Sequence, residues 1–371
     1  MGEFDIDIQG CRRRQQRLVE KMQAQNVELV IVTQMANIQW LTGARFGTNF
    51  QPVAAITAEG HVTLVVPGRK NRPVPSGFAA DEVAPYEAQL HSTLRNDQRE
   101  ASSQVLLDVL KARPQRIGVE YGTFPQYLAQ PLGAELVDFE PTMYYLRRRK
   151  EADELRLMRK ANDANRAMYA HARQIIEPGI NELEVYNQLH AVAVRELGEP
   201  LTYFGQDFQC NSRGGAPRDR QAQAGELYIL DLGVGFRGYY SDNSRAIAVD
   251  RSPTDAQLKA WSQILKVFEL VESTVKPGVR CKEIFNQAQA ILDEMLPWKF
   301  DHHLGHGVGL YPHEAPHLNP NWDDTFEVGD FFTAEPGLYH EELKHGIRLE
   351  QNYLVTETGV ELLTDFPLEL A

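Results

Sequence analysis

Cysteine is scarce in this chain. Cys11, Cys210 and Cys281 are the only three among 371 residues, too few and too far apart for a disulfide scaffold or a CxxC zinc site, which fits a reducing compartment. Each is expected to be a packing residue. No apolar run approaches the roughly 20 residues needed to span a bilayer, and the opening stretch MGEFDIDIQGCRRR has no apolar segment of signal-peptide length. The expectation is a cytoplasmic protein with no membrane partner. Basic residues are outnumbered, 38 Lys and Arg against 51 Asp and Glu, and the net charge of -13 argues against a nucleic-acid partner. The runs CRRRQQR and LRRRKEADELR are read as solvated helix faces rather than phosphate clamps.

What the chain does contain falls into two textures. Residues 1–150 alternate helix and strand signals: CRRRQQRLVEKMQAQNV has helical spacing, ELVIVT reads as a short buried strand, and PVAAITAEGHVTLVVP reads as two strands turning near Glu59 and Gly60. RIGVE and AELVDF add further strands. These signals predict a small α/β domain, and no chemical constellation stands out in it. From residue 151 to 371 longer helices take over, beginning with RRRKEADELRLMRKANDANRAMYAHARQII.

That second region repeats itself. IIEPGINELEVYNQLHAVAVREL from Ile175 resembles TVKPGVRCKEIFNQAQAILDEML from Thr274, each breaking at Pro-Gly and restarting a helix, with Asn181 and Glu184 placed for a capping box. AGELYILDLG from Ala224 and VGDFFTAEPG from Val328 then align Asp231 with Glu335, and the following strands carry Asp242 and Glu350. The duplicated unit therefore delivers two carboxylates from each half.

In LYILDLG both strand faces are apolar, so Asp231 is directed into a core whichever way the side chains alternate, and FFTAEPG poses nearly the same problem for Glu335. Two carboxylates about 4 Å apart repel by roughly 4 kcal/mol at an effective dielectric of about 20. If the halves bring all four acids together, an embedded positive charge is required, and two divalent cations match four carboxylates.

The stretch HHLGHGVGLYPHEAPH holds five of the eleven histidines. His306, between glycines, is the expected ligand that would complete an oxygen-rich shell. A single imidazole among carboxylates suits Mn²⁺, Co²⁺, Fe²⁺ or Zn²⁺, and the residues alone do not decide between them.

Asp231, Asp242, His306, Glu335 and Glu350, in the contexts YSDNSR, HGVGL, AEPGLY and RLE, resemble the five-ligand set of the pita-bread metallopeptidases. The amino-terminal stretch RLVEKMQAQNVELVIVTQMANIQWLTG is similar to the first domain of the aminopeptidase P, prolidase and creatinase branch. The resemblance implies a small α/β domain followed by a pita-bread catalytic domain with an internal pseudo-two-fold repeat. It further implies two divalent ions, Asp242 and Glu350 bridging them, Asp231 on one, and His306 with Glu335 on the other. Glu335 would also move the proton, His313 would donate to the tetrahedral oxyanion or the substrate, and His302 would line the pocket. Arg348 is placed to hold Glu350 or a substrate carboxylate. His303 is read as structural, His317 is left open between pocket wall and surface, and Tyr239 and Tyr240 are read as packing residues.

One position departs from the family pattern. A substrate-facing histidine is expected some seventeen residues before the first aspartate, and Gly214 stands near that place in QDFQCNSRGGAPRDR. Arg213 or Asn211 are the substitutes on offer, although a guanidinium cannot exchange protons as imidazole does. Hydrolysis of Xaa-Pro peptides, as an aminopeptidase or dipeptidase, is therefore the first reading. A same-fold hydrolase of a small non-peptide amide, like ectoine-hydrolase-like or creatinase-like relatives, is the second, and a non-catalytic binding protein the third. A homodimer is expected by analogy with the branch.

Overall fold

A computed structural model describes residues 2–69, 72–110 and 114–371. The chain divides into two units, Met1–Arg147 and Arg148–Ala371. In the first, α1 (Ile8–Ala24) and β1 (Leu29–Val32) are followed by α2 (Met35–Thr42), β2 (Val53–Thr57), β3 (Val62–Gly68) and β4 (Glu82–Glu87). A small hairpin, β5 (Gln89–Leu90) and β6 (Thr93–Leu94), leads to α3 (Gln98–Val109), β7 (Arg116–Val119), α4 (Gln126–Leu132), β8 (Glu135–Asp138) and α5 (Glu140–Arg148). Six strands form one mixed sheet in the order β4-β3-β2-β1-β7-β8. The β2 to β3 turn uses Gly60 at φ 88°, a conformation that glycine adopts without strain. Leu29, Ile31, Val53, Val65, Ile117 and Val119 fill the core on one side of this sheet.

The second unit starts with α6 (Ala152–Ile175), α7 (Glu182–Leu197), β9 (Tyr203–Cys210), β10 (Leu227–Phe236), β11 (Tyr239–Tyr240) and β12 (Asn243–Ala248). It continues with α8 (Asp255–Thr274), α9 (Cys281–Asp293), β13 (Gly305–Gly307), β14 (Glu314–Leu318), β15 (Phe331–Ala334), β16 (Gly337–Leu338), β17 (Ile347–Arg348), β18 (Gln351–Val355) and β19 (Val360–Leu362). One sheet runs β11-β10-β12 with β9 also paired to β10, and the other runs β14-β13-β15-β18-β19. Two helices precede each sheet, so the duplication is structural.

Backbone hydrogen bonds repeat it in detail. Gly179 N donates to Ala222 O and Ala222 N to Ile180 O; Gly278 N donates to Phe326 O and Phe326 N to Val279 O. Both glycines have positive φ, 97° and 91°, as the break between paired helices requires. Asn181 caps α7 by accepting from Leu183 N at 2.9 Å. The expected box does not close, because Glu184 turns outward and accepts from Gln188 instead.

Every residue of β10 is buried, since β9 and β12 cover its edges and α6 covers a face. From α6, Asn165 Nδ2 donates to Leu232 O and Tyr169 OH to Leu230 O. The two sheets are stitched where the acids lie: Glu350 N donates to Ser244 O, Asn243 Nδ2 to Glu350 O, and Asn352 Nδ2 to Asp242 O. A core of Ile264, Val267, Ile284, Phe332, Tyr353 and neighbours backs the second half.

The basic runs are solvated only in part: Arg13 and Arg149 are exposed, but other members are not. Arg14, Arg147, Arg148 and Lys150 are buried, and each cation is matched inside its own unit. Arg14 donates to Trp40 O and Arg147 to Asn37 Oδ1. Arg148 forks onto both oxygens of the fully buried Asp330, and Lys150 Nζ lies 3.1 Å from Glu314 Oε2. Charge count along the sequence does not reveal such partners, because the fold brings them in from elsewhere in the chain: α2 for Arg14 and Arg147, and Asp330 and Glu314 for Arg148 and Lys150. The three cysteines are buried and, among the described residues, form no disulfide; among those residues no helix is long and apolar enough to cross a membrane.

Candidate metal centre

Asp231 sits mid-strand in β10, opposite Asp207 on β9 and Ser244 on β12. Asp242 enters from the turn before β12, Glu335 follows β15, and Glu350 lies between β17 and β18. All four are buried. Carboxylate oxygens of Asp231, Asp242 and Glu350 lie within 4.8 Å of one another. Among the described residues neither Asp231 Oδ1 nor Glu350 Oε1 has a hydrogen-bond partner. Orphaned buried oxygens of this kind are costly, and a cation placed among them would satisfy both.

The electrostatics agree with that reading. Burial, with Arg348 opposing and Glu335 adding to it, pushes Asp231 up to about 6. Burial and the adjacent acids drive Asp242 and Glu350 well above the usual carboxylate range. These groups prefer protons when nothing else neutralises them. Burial would also raise Glu335, but hydrogen bonds from His303 and His306 outweigh it and hold this carboxyl well below its usual range.

His306 belongs to β13, where its Nδ1 bonds Gly307 O at 3.0 Å. Gly307 O only accepts, so Nδ1 carries a proton, and Nε2 is the atom turned on the acids, 3.4 Å from Glu335 Oε1 and 3.8 Å from Asp242 Oδ2, where a cation could replace the proton it shares with Glu335. His313 stacks on His306 with ring centres 3.7 Å apart, and burial together with His306 lowers its pKa to about 4. His302 bonds His303 O through Nδ1 and accepts from Tyr339 OH at Nε2, 2.9 Å away; burial takes it down to about 4. These side chains line one cavity of about 320 Å³ together with Gln206, Arg213, His303, Tyr339 and Arg348. The arrangement can bind cations on one wall and offer the neutral imidazole of His313 on the other.

The family model for metallopeptidase family M24 matches residues 156–357, more than half of the chain. The chain belongs to metallopeptidase family M24. The creatinase/prolidase N-terminal domain matches residues 14–149 of this M24 protein. An uncharacterised peptidase of Bacillus subtilis is 30% identical over 269 residues, which cover 69% of this chain and 74% of that protein. Two solved structures share the fold. The Xaa-Pro dipeptidase from Bacillus anthracis superposes with a TM-score of 0.81 at 22% identity, covering 97% of this chain and 99% of that one. The prolidase from Pyrococcus horikoshii does so at 0.79 and 23%, covering 97% and 100%.

Against that family background the M24 chain has its own features. Arg348 does not hold Glu350. Its Nη2 reaches Asp231 Oδ2 at 2.9 Å and also pairs with Asp207, while Nη1 donates to Arg213 O at 3.0 Å. It thereby occupies one oxygen of Asp231 and leaves Oδ1 facing the cluster. Gly214 has φ 138°, and a Cβ there would fall inside the contact shell of Asp207 Oδ2. The Asp207–Arg348 pair thus leaves no room for a side chain at Gly214, near the place where the pattern expects an imidazole. Arg213 stacks over the Tyr339 ring at 4.1 Å and pairs with Asp301. Asn211 is not among the residues lining the cavity.

His317 stands opposite His306 in the strand register, bonds Asp324 through Nδ1 at 2.8 Å and stacks on Trp322. It too is absent from the cavity lining. Tyr239 packs as expected, with its hydroxyl on Glu154, and the Tyr240 ring rests on Tyr203. His303 was read as structural; its Nε2 is 2.8 Å from Glu335 Oε1 and it lines the cavity. Asp207 and Tyr339 carried no sequence signal, because each gains its place only through pairing across strands.

Proposed function

We propose that the chain is a hydrolase dependent on two divalent transition-metal ions, which cleaves the bond before proline in peptides or dipeptides. The observation that carries this reading is the cluster of buried acids, Asp231, Asp242 and Glu350, in which two oxygens have no hydrogen-bond partner among the described residues, beside His306 and Glu335. Asp231, Asp242, His306, Glu335 and Glu350 would hold the ions. Manganese is placed first, with cobalt, zinc or iron as alternatives. Bound there, the ions would supply Lewis acidity toward the scissile carbonyl and make a water acidic near neutral pH.

The chain's own groups do the rest. Glu335 takes the proton from that water and passes it to the leaving nitrogen. His313, neutral at pH 7, donates a ring N–H to the carbonyl oxygen as negative charge develops there. His302 is kept in one orientation by Tyr339 and His303 and forms the wall. Arg348 is committed to Asp231 and Asp207, so Arg213 is the cation at the rim able to exchange Asp301 for a substrate carboxylate. The names of the structural neighbours, a prolidase and an Xaa-Pro dipeptidase, support the proline preference. The same reading makes the protein a cytoplasmic homodimer.

Gly214 and Asp207 favour a second reading, in which the substrate is a small non-peptide amide. The test is a manganese-replete screen of Xaa-Pro dipeptides, longer Xaa-Pro peptides and small amides, run beside Asp242→Asn. Cleavage of proline peptides that disappears in the variant supports the first reading. Amide turnover with no proline-peptide cleavage selects the second, and full activity of Asp242→Asn or of thoroughly chelated protein overturns both.

A further inference from the structure

His303 lies outside the set of residues that the family pattern accounts for. Its Nε2 is nevertheless 2.8 Å from Glu335 Oε1, closer than the 3.4 Å separating His306 Nε2 from the same oxygen. Three imidazoles fix the His303 ring by edge contacts: His302 at 5.8 Å, His306 at 5.3 Å and His313 at 5.6 Å between centres, with interplanar angles of 81°, 83° and 87°. Its backbone carbonyl is held as well, by His302 Nδ1 at 2.7 Å. The aim of Nε2 at Glu335 is therefore set by packing before any ligand arrives.

A carboxylate that serves as both metal ligand and proton acceptor has a geometric problem. Its two oxygens are chemically equivalent, and rotation about χ3 is soft. One oxygen must be pinned for the other to present its lone pairs to a fixed point. Arg348 does this for Asp231 by taking Oδ2. Among the described residues no such cation bonds Glu335, and the hydrogen-bond partners of its side chain are imidazoles.

We propose that His303 is a positioning residue for Glu335: its Nε2–H donates to Oε1 and sets the rotation of the carboxylate, so that Glu335 and His306 present a shaped pair of donors to one cation. The proposal rests on the two-ion reading above. Partners of this kind, one bond removed from the ion, are typically worth about 10- to 100-fold in metal affinity.

The experiment is calorimetric titration of Mn²⁺ into chelator-stripped protein, as wild type, His303→Leu and His303→Gln. The glutamine amide reaches about as far as Nε2 and retains a donor. Expected are two ions per chain in all three proteins, with His303→Leu weakening one site by about 10- to 100-fold, sparing the other, and lowering kcat rather than raising KM. His303→Gln should stay within about threefold of wild type, since its donor preserves the interaction. Unchanged binding in His303→Leu overturns the proposal. Equal losses in both variants also overturn it, because they would make the imidazole itself a ligand or proton carrier. Wild type that binds fewer than two ions sinks the two-ion reading and this proposal with it.

Discussion

Stripping the metal should turn the stability of this protein upside down with respect to pH. Asp242 and Glu350 have folded pKa values well above those of an unfolded chain, through burial and mutual repulsion. A carboxyl raised in this way binds a proton in the native state that the unfolded state has released, so its contribution to stability is lost as pH rises. The useful window runs from about pH 6.5 to about pH 8, where the opposing groups are nearly spent. His302 and His313, lowered to about 4, favour folding as pH climbs through the unfolded histidine value near 6.5, and inside the window each still offsets about 0.4 kcal/mol. Asp231, at about 6, is mostly ionised by then, and the Cys210 and Cys281 thiols, raised by burial, matter only at higher pH. Each proton retained by the native cluster costs about 1.4 kcal/mol per pH unit, or about 2 kcal/mol across the window, and about 4 kcal/mol if both acids keep theirs. His303, also raised by Glu335 against burial, acts in the same direction. Bound cations displace these protons and flatten the slope. Urea unfolding followed by tryptophan fluorescence, with and without chelator at both pH values, measures the difference. Metal-free protein that is as stable at the higher pH as at the lower would refute the reasoning, as would an equal slope in metal-replete protein.

Three other outcomes follow from named contacts. Lys150→Met leaves Glu314 charged and buried and should destabilise the catalytic unit by about 3–5 kcal/mol, whereas adding Glu314→Gln should recover most of the loss in chemical denaturation. Gly214→His, which introduces an imidazole near the expected place, should lower both stability and activity, by roughly 1–3 kcal/mol for the former, since φ is positive and Asp207 fills the space; a more active variant would show that Asp207 yields. Glu182 is held low, against burial, by hydrogen bonds from Arg218 and Cys210, so its contribution is complete above the unfolded value near 4.5 and fades as pH falls through the folded one. Glu182→Gln should cost roughly 1.5–3 kcal/mol at neutral pH and progressively less in acid, read from urea midpoints.

The repeat made much of the architecture legible before any coordinates. Pro-Gly breaks at Gly179 and Gly278 and the aligned Asp231 and Glu335 report local backbone need and strand register, both of which are written in neighbouring residues. The buried charge of Asp231 was likewise legible, since LYILDLG offers no polar face. The pairing of Arg348 with Asp231 and Asp207 was not legible because it is decided by the approach of β9 and β10, more than a hundred residues earlier in the chain. Lys150 and Arg148 were misread for the same reason: a basic run looks identical whether its counter-ions are water or Glu314 and Asp330. His303 was passed over because one histidine in a cluster of five has no distinguishing pattern until Glu335 is brought beside it.

The stitching of the two sheets at Asn243, Glu350 and Asn352 has a consequence for symmetry. Each half carries two acids, and the guanidinium that holds Asp231 comes from Arg348 in the other half, so neither half alone completes the centre. The two copies contribute unequally. The first supplies short aspartates while the second supplies longer glutamates and an imidazole, which sets the centre off the midline between the repeats and gives it a distinguishable front and back.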